Sequence, residues 1–336
     1  MLNEPSRTPG PPVTTPDAAA ATAPVVPPQP RPDAGTGGGP AHGGRFGSLG
    51  PVGLVLAGGV SVQFGGALAV TLMPRAGALG VVALRLLVAA VVLLVVCRPR
   101  LRGHSRADWG TVVAFGVAMS AMNGLFYQAL DRIPLGVAVT LEVLGPLTLS
   151  VVASRRALNL VWAALALAGV VLLSGAGGAG GGLGALDPAG VAFALGAGVM
   201  WAAYIVFSAR TGRRFPQADG LALAMAVGAL LFLPLGLAES GAKLADPVTL
   251  GLGAGVAVLS SVLPYTLELL ALRRLPASTF AVMMSLEPAL AATAGFLVLD
   301  QALSAVQAAA VALVVAASMG AVRTRTGRPK TATPEA

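Results

Sequence analysis

Charge is scarce in this chain. Only 11% of its 336 residues are charged while 55% are hydrophobic, which leaves too little polar surface to cover a soluble globule. Cysteine is scarcer still. The single Cys97 excludes an intramolecular disulfide and every multi-cysteine metal motif, and at the end of an apolar run it reads as a small hydrophobe. The two histidines, His42 and His104, lie outside the apolar runs, and HExxH, GxSxG and Walker A patterns are all absent. No cofactor or metal is therefore expected, and an enzyme finds no support. Any transport must draw on an ion gradient or on the gradient of its own substrate, unless a partner supplies ATP. Lysine occurs only at Lys243 and Lys330 beside abundant Ala, Gly and Val, the bias of a GC-rich bacterial genome, which points to an inner or plasma membrane.

The net charge of +8 would suggest nucleic acid in a soluble protein. Here the basic residues sit in short clusters between apolar segments, so they read as topology signals and a nucleic-acid partner is not expected.

Residues 1–51 hold twelve prolines among Gly, Ala and Thr, with no apolar periodicity. Such a composition buries too little surface to offset ordering entropy, so a disordered cytoplasmic tail is expected rather than a signal peptide. Beyond it the apolar pattern predicts ten spans, at about 52–73, 77–97, 109–130, 135–153, 158–175, 188–207, 218–238, 248–270, 277–298 and 302–321. Each approaches the ~20 residues that cross ~30 Å of hydrocarbon. With a cytoplasmic N-terminus, fifteen basic residues fall on cytoplasmic connections and the C-terminal tail, and only Arg75, Arg132 and Lys243 fall outside. Both termini are then cytoplasmic. The glycine run 175–184 lacks the Lys-Ser or Lys-Thr of a phosphate loop and reads as an external linker. Gly251 and Gly255, at small-xxx-small spacing, are expected to permit close helix packing.

The chain also repeats itself. ALDRIP (129–134) falls on ALRRLP (271–276) at a shift of 142, which carries Leu144-Gly145-Pro146 onto Leu286-Glu287-Pro288 and Pro74 onto Pro216. The flanking charges are exchanged between the copies: Arg155 and Arg156 follow the first, whereas Arg273 and Arg274 precede the second. Copies that cross in opposite directions form an inverted repeat, whose substrate sites lie near the midplane on interrupted helices.

Polar residues inside the spans are few: Gln63, Arg85, Asn123, Tyr127, Glu142, Trp201, Tyr204, Tyr265, Glu268 and Glu287. A charge at a helix centre costs roughly 2.5 to 3.5 kcal/mol on the insertion scale, so Glu287 should face a polar cavity or a partner. Pro288 follows it, and a residue without an N–H leaves the carbonyl of Met284 unpaired nearby. Pro146 does the same to the carbonyl of Glu142, and Pro264 breaks the eighth span. Arg85 must pair with a carboxylate, freed carbonyls or a bound anion. Glu268 lies near the cytoplasmic end of its span, within reach of a salt bridge to Arg273 and Arg274 or of a ligand. Gln63 and Asn123 either contact a ligand or bridge helices. Tyr127 fits an interfacial aromatic belt, whereas Trp201, Tyr204 and Tyr265 sit deeper and either wall a pocket or pack the core.

PLGVAVTLEVLGPL (134–147), SVLPYTLELLALRRLP (261–276) and SLEPALAA (285–292), with SVQFGGALA (61–69), ALRL (83–86), ALGAGVMWAAYI (194–205) and AASMG (316–320), resemble the drug/metabolite transporter superfamily. Within it they look like the threonine/homoserine exporter branch of the EamA transporters, over residues from about 50 to 322. The resemblance implies an all-α membrane protein of ten transmembrane helices in two inverted five-helix EamA repeats, a central cavity, and export of small amino acids in exchange for protons. Asp300 with Gln301 stands where that family usually has Gly-Glu.

The expected organisation is a tail (1–51), a first repeat (52–175), an external linker (176–187), a second repeat (188–321) and a basic tail (322–336). Glu287 and Glu142 are the candidate ammonium or proton sites and Arg85 the candidate carboxylate partner. Two other readings stay open here. Efflux of unrelated amphiphilic metabolites or drugs would use a cavity of aromatics and methionines, and a membrane enzyme or sensor would need a carboxylate and a nucleophile converging at one membrane face.

Overall fold

The structure is a computed structural model. It describes residues 46–154, 186–215, 219–272 and 283–326, with scattered positions between 161 and 172. The proline-rich segment before Phe46, most of the fifth expected span, residues 176–185 of the linker, and Arg155, Arg156, Arg273 and Arg274 lie outside the described residues, as do the side chains of Tyr265 and Glu268.

Every element among the described residues is helical: α1 (Phe46–Cys97), α2 (Arg106–Leu130), α3 (Leu135–Glu142), α4 (Leu144–Ser154), α5 (Pro188–Gly212), α6 (Asp219–Ser240), α7 (Pro247–Ala257), α8 (Leu263–Leu272), α9 (Glu287–Leu299) and α10 (Ala305–Thr326). Stretches at Gly50–Cys97, Arg106–Leu130, Pro188–Gly212 and Asp219–Ala245 are long and apolar enough to cross a bilayer. The protein is an all-α, multi-pass membrane protein.

The helix ends follow local chemistry. Ser105 and Asp108 close a reciprocal capping box on α2. Asp187 and Asp246 cap α5 and α7, each just before a proline in the first turn. The expected spans 52–73 and 77–97 form the two arms of α1, which breaks at Gly77 (φ 61°, ψ 168°). That conformation is essentially restricted to glycine. The N–H groups of Leu79 and Gly80, orphaned where the second arm begins, donate to Glu239 Oε2 at 2.8 and 3.1 Å. Pro134 provides no side-chain cap for α3, and the N–H of Leu135 donates instead to Gln301 Oε1 at 3.0 Å. Gln301 is held there because Asp300 turns left-handed (φ 53°) and the N–H of Gln301 returns to the Gly295 carbonyl at 3.0 Å. In both places a residue late in the chain caps a helix early in it.

Packing centres on α1, which lies against α6, α7, α8 and α9, while α2 packs on α5 and α6, and α3 on α5 and α9. Glycines set the close approaches. A Cβ on Gly116 of α2 would stand 2.7 Å from the Ala224 carbonyl of α6, and one on Gly136 of α3 would stand 2.9 Å from Cα of Ala292 of α9. The expectation for Gly251 and Gly255 is corrected. A Cβ on Gly251 meets nothing within 4 Å and one on Gly255 reaches only Leu68 at 3.8 Å, whereas Gly253 faces Leu84 at 2.8 Å. The small-residue spacing is present, but the face of α7 that meets α1 is turned through Gly253.

Candidate functional site

Three helix breaks lie at buried residues. The first separates α3 from α4 at Val143. Pro146 has no N–H for the Glu142 carbonyl, which points at Gly198 of α5, where a Cβ would come within 2.6 Å of it. The second is the turn at Ser285 and Leu286, closed by the Leu286 N–H on the Met283 carbonyl at 3.0 Å. The shift of 142 carries Val143 onto Ser285, so the two breaks fall at positions that correspond under that shift.

Glu287 was expected eleven residues inside a span. The span is interrupted just before it, so that Glu287 stands in the first turn of α9, with Pro288 beside it. The turn accounts for the difference, because a proline in the first turn accommodates the missing N–H at a helix start and a continuous helix does not. The positive end of α9 therefore sits at the carboxylate.

The third break replaces one α-turn by a π-turn at Val258–Val262, between α7 and α8. The Leu263 N–H reaches back to the Val258 carbonyl, and Pro264, which follows, has no N–H for Leu259 or Ser260. Both freed carbonyls are taken up by α1: Ser61 Oγ donates to the Leu259 carbonyl at 2.6 Å, and a terminal nitrogen of Arg85 donates to the Ser260 carbonyl at 3.0 Å.

Arg85 makes two further hydrogen bonds. Its Nε donates to Ser261 Oγ at 3.1 Å and its other terminal nitrogen to Tyr127 Oη at 3.2 Å, with the guanidinium carbon 5.6 Å from the Tyr127 ring centre. Of the three expected types of partner it has the freed carbonyl. All three acceptors are neutral, so these bonds fix the guanidinium without cancelling its charge. Arg85 is half-buried. Tyr127 is fully buried and Ser260 and Ser261 nearly so, which corrects the interfacial-belt expectation for Tyr127.

Glu142 and Glu287 are each only 8% exposed, and the charges of both Glu287 and Arg85 act on Glu142. The structure thus brings Arg85, Glu142 and Glu287 into one neighbourhood, though Glu142 and Glu287 are 145 residues apart. The remaining candidates surround them unevenly. Gln63 is buried on α1 between Ser61 and Gly65, and Gly65 abuts the π-turn at Ser260. Asn123 is buried one turn before Tyr127 and donates to the Met119 carbonyl of its own helix at 2.8 Å. Trp201 and Tyr204 lie partly buried on α5, one and two turns beyond Gly198, with the Tyr204 ring 5.3 Å from that of Phe115.

Sequence reasoning missed Ser61, Ser260 and Ser261 altogether. The signal was present, because counting four residues back from Pro264, as was done from Pro146 and Pro288, lands on Ser260. Among the described residues no group of His, Cys, Asp or Glu side chains could hold a metal ion.

Residues 188–323 match the EamA-like transporter family. The chain is 39% identical over 274 residues to the threonine/homoserine exporter RhtA of Escherichia coli strain K12, a match covering 82% of this chain and 92% of that protein. It is 38% identical over 270 residues to the threonine/homoserine exporter RhtA of Salmonella typhimurium strain LT2, covering 80% and 90%.

Proposed function

Because the chain belongs to the EamA-like transporter family, whose members are transporters rather than enzymes, we propose that it exports small zwitterionic amino acids of the threonine and homoserine kind across the bacterial inner membrane, in exchange for protons. The observation that carries this reading is the grouping of Arg85 with Glu142 and Glu287 in the interior. An amino acid presents a carboxylate and an ammonium a few ångströms apart. Arg85, held by neutral acceptors, keeps a full charge for the carboxylate. Glu142 and Glu287 offer negative charge for the ammonium. Either carboxylate can take up a proton when no ammonium is present. Substrate and proton therefore compete for the same charge, which is the requirement for exchange.

The chain is organised as ten membrane-spanning helices in two inverted repeats, with both termini cytoplasmic. The matched breaks at Val143 and Ser285 support this, as does the basic bias of the cytoplasmic connections. The interrupted helices would rock about the central charges to open each side in turn.

The test is counterflow of radiolabelled threonine, homoserine, serine and cysteine in proteoliposomes, with and without an imposed pH gradient. Saturable counterflow that is accelerated by a pH gradient is the expected result. Absence of counterflow for all four, in protein that has inserted, would remove the amino-acid reading.

A further inference from the structure

The π-turn is more than a flaw in a helix. Leu259 and Ser260 lose their backbone donors to Pro264 and the π-turn, and both are satisfied by side chains of α1. Such a bulge persists only where its surroundings compensate it, and it is common at functional sites. Here the compensating groups are Ser61 and Arg85, and Arg85 is also grouped with Glu142 and Glu287.

Resting on the carboxylate-binding reading of Arg85, we infer that the π-turn, Ser261 and Tyr127 form a carboxylate-orienting frame, with Ser261 and Tyr127 as positioning residues that determine selection for an amino acid over its carboxylate-free analogue. The geometry carries the inference. An arginine has five donors in a rigid fork, and the three neutral acceptors come from three directions: Ser261 Oγ at Nε, the Ser260 carbonyl at one terminal nitrogen and Tyr127 Oη at the other. Each terminal nitrogen retains a second N–H, so the paired donors that match a carboxylate remain aimed by bonds that leave the charge intact. The Tyr127 ring limits the tilt of the guanidinium plane. Without the frame, Arg85 would be a flexible cation with several rotamers, and carboxylate binding would lose its preorganisation.

The frame is tested by competition in threonine counterflow, comparing unlabelled threonine with its amino alcohol, in which a hydroxymethyl group replaces the carboxylate. The wild-type protein should prefer threonine. Tyr127→Phe and Ser261→Ala should each raise KM for threonine about tenfold, as expected for one lost hydrogen bond to a charged group. Each should also reduce the preference over the amino alcohol by the same factor, with kcat kept within about twofold, and Ser261→Thr should restore both.

Pro264→Ala is the second arm, because it returns to the broken helix an N–H that competes with Arg85 for the Ser260 carbonyl, at the loss of only two buried ring carbons. It should reduce the preference while the protein remains at least as heat-stable as wild type. If KM rises equally for threonine and the amino alcohol, or if neither Tyr127→Phe nor Ser261→Ala changes the preference while Arg85→Gln abolishes it, the frame is overturned and the carboxylate site stands. If Arg85→Gln also leaves the preference unchanged, both fall.

Discussion

At the scale of single residues, Glu287 is the side chain on which export should depend most. It is nearly buried and lies in the first turn of a helix, where negative charge is favoured. Glu287→Gln preserves the shape and much of the hydrogen bonding but carries no charge to exchange between an ammonium and a proton. The expected outcome is normal insertion with threonine counterflow reduced at least about a hundredfold, the scale of two lost charge contacts. Were Glu287 only a structural partner of Arg85, the same change would strand a half-buried cation, and adding Arg85→Gln should restore heat stability. Three neutral acceptors hold Arg85 in place whatever the charge at position 287. In thermal unfolding, the double variant should be no more stable than Glu287→Gln alone.

Helices here are joined by caps supplied from a distance. Gly77 is the plainest case, because its backbone conformation is closed to residues with a Cβ and the added carbon would overlap the Glu239 carboxylate. Gly77→Ala should lower stability by about 1 to 3 kcal/mol, read as a fall in melting temperature in detergent. Asp300 is the converse: a non-glycine residue in the left-handed region. Asp300→Gly should raise stability by up to about 1 kcal/mol in the same assay, provided Gln301 still reaches Leu135.

A third element-level effect is pH-dependent. Asp246 caps α7, and hydrogen bonds from Thr249 hold its carboxyl below the usual range. A carboxyl lowered on folding stabilises the folded state above its unfolded value and loses that contribution as pH falls through the folded one. Asp246→Ala should therefore lower the melting temperature at neutral pH, and the gap to wild type should narrow on acidification below the ordinary carboxylate range.

For the molecule as a whole, the proposed inverted arrangement makes a prediction that no single helix can. Reporters fused after Arg156 and after Asp300 should fall on opposite sides of the membrane, the first cytoplasmic and the second external. Both on one side would contradict opposite insertion of the two copies. Under that arrangement the broken segments of both copies would come together, because each break leaves backbone groups that lipid cannot satisfy and protein can.

Composition, spacing and the counting of prolines sufficed for the all-helical membrane class, for the ionisable residues Arg85, Glu142 and Glu287, and for the neighbourhood of the helix breaks. These follow from local rules: apolar length sets a span, and a missing N–H frees a carbonyl four residues earlier. Which group takes up that carbonyl is not a local matter. Ser61, Arg85, Tyr127 and the Ser260–Ser261 pair belong to stretches spread over 200 residues, and Glu239 reaches a helix start that precedes it by 160 positions. The packing of α1 against α7 and α8, set where Gly65 meets Ser260 and Gly253 meets Leu84, brings Ser61 and Arg85 to the π-turn, while its packing against α6 brings Glu239 to Leu79 and Gly80. The chain's local chemistry thus marks where the helices break, and tertiary contact decides which side chains those breaks hold in place.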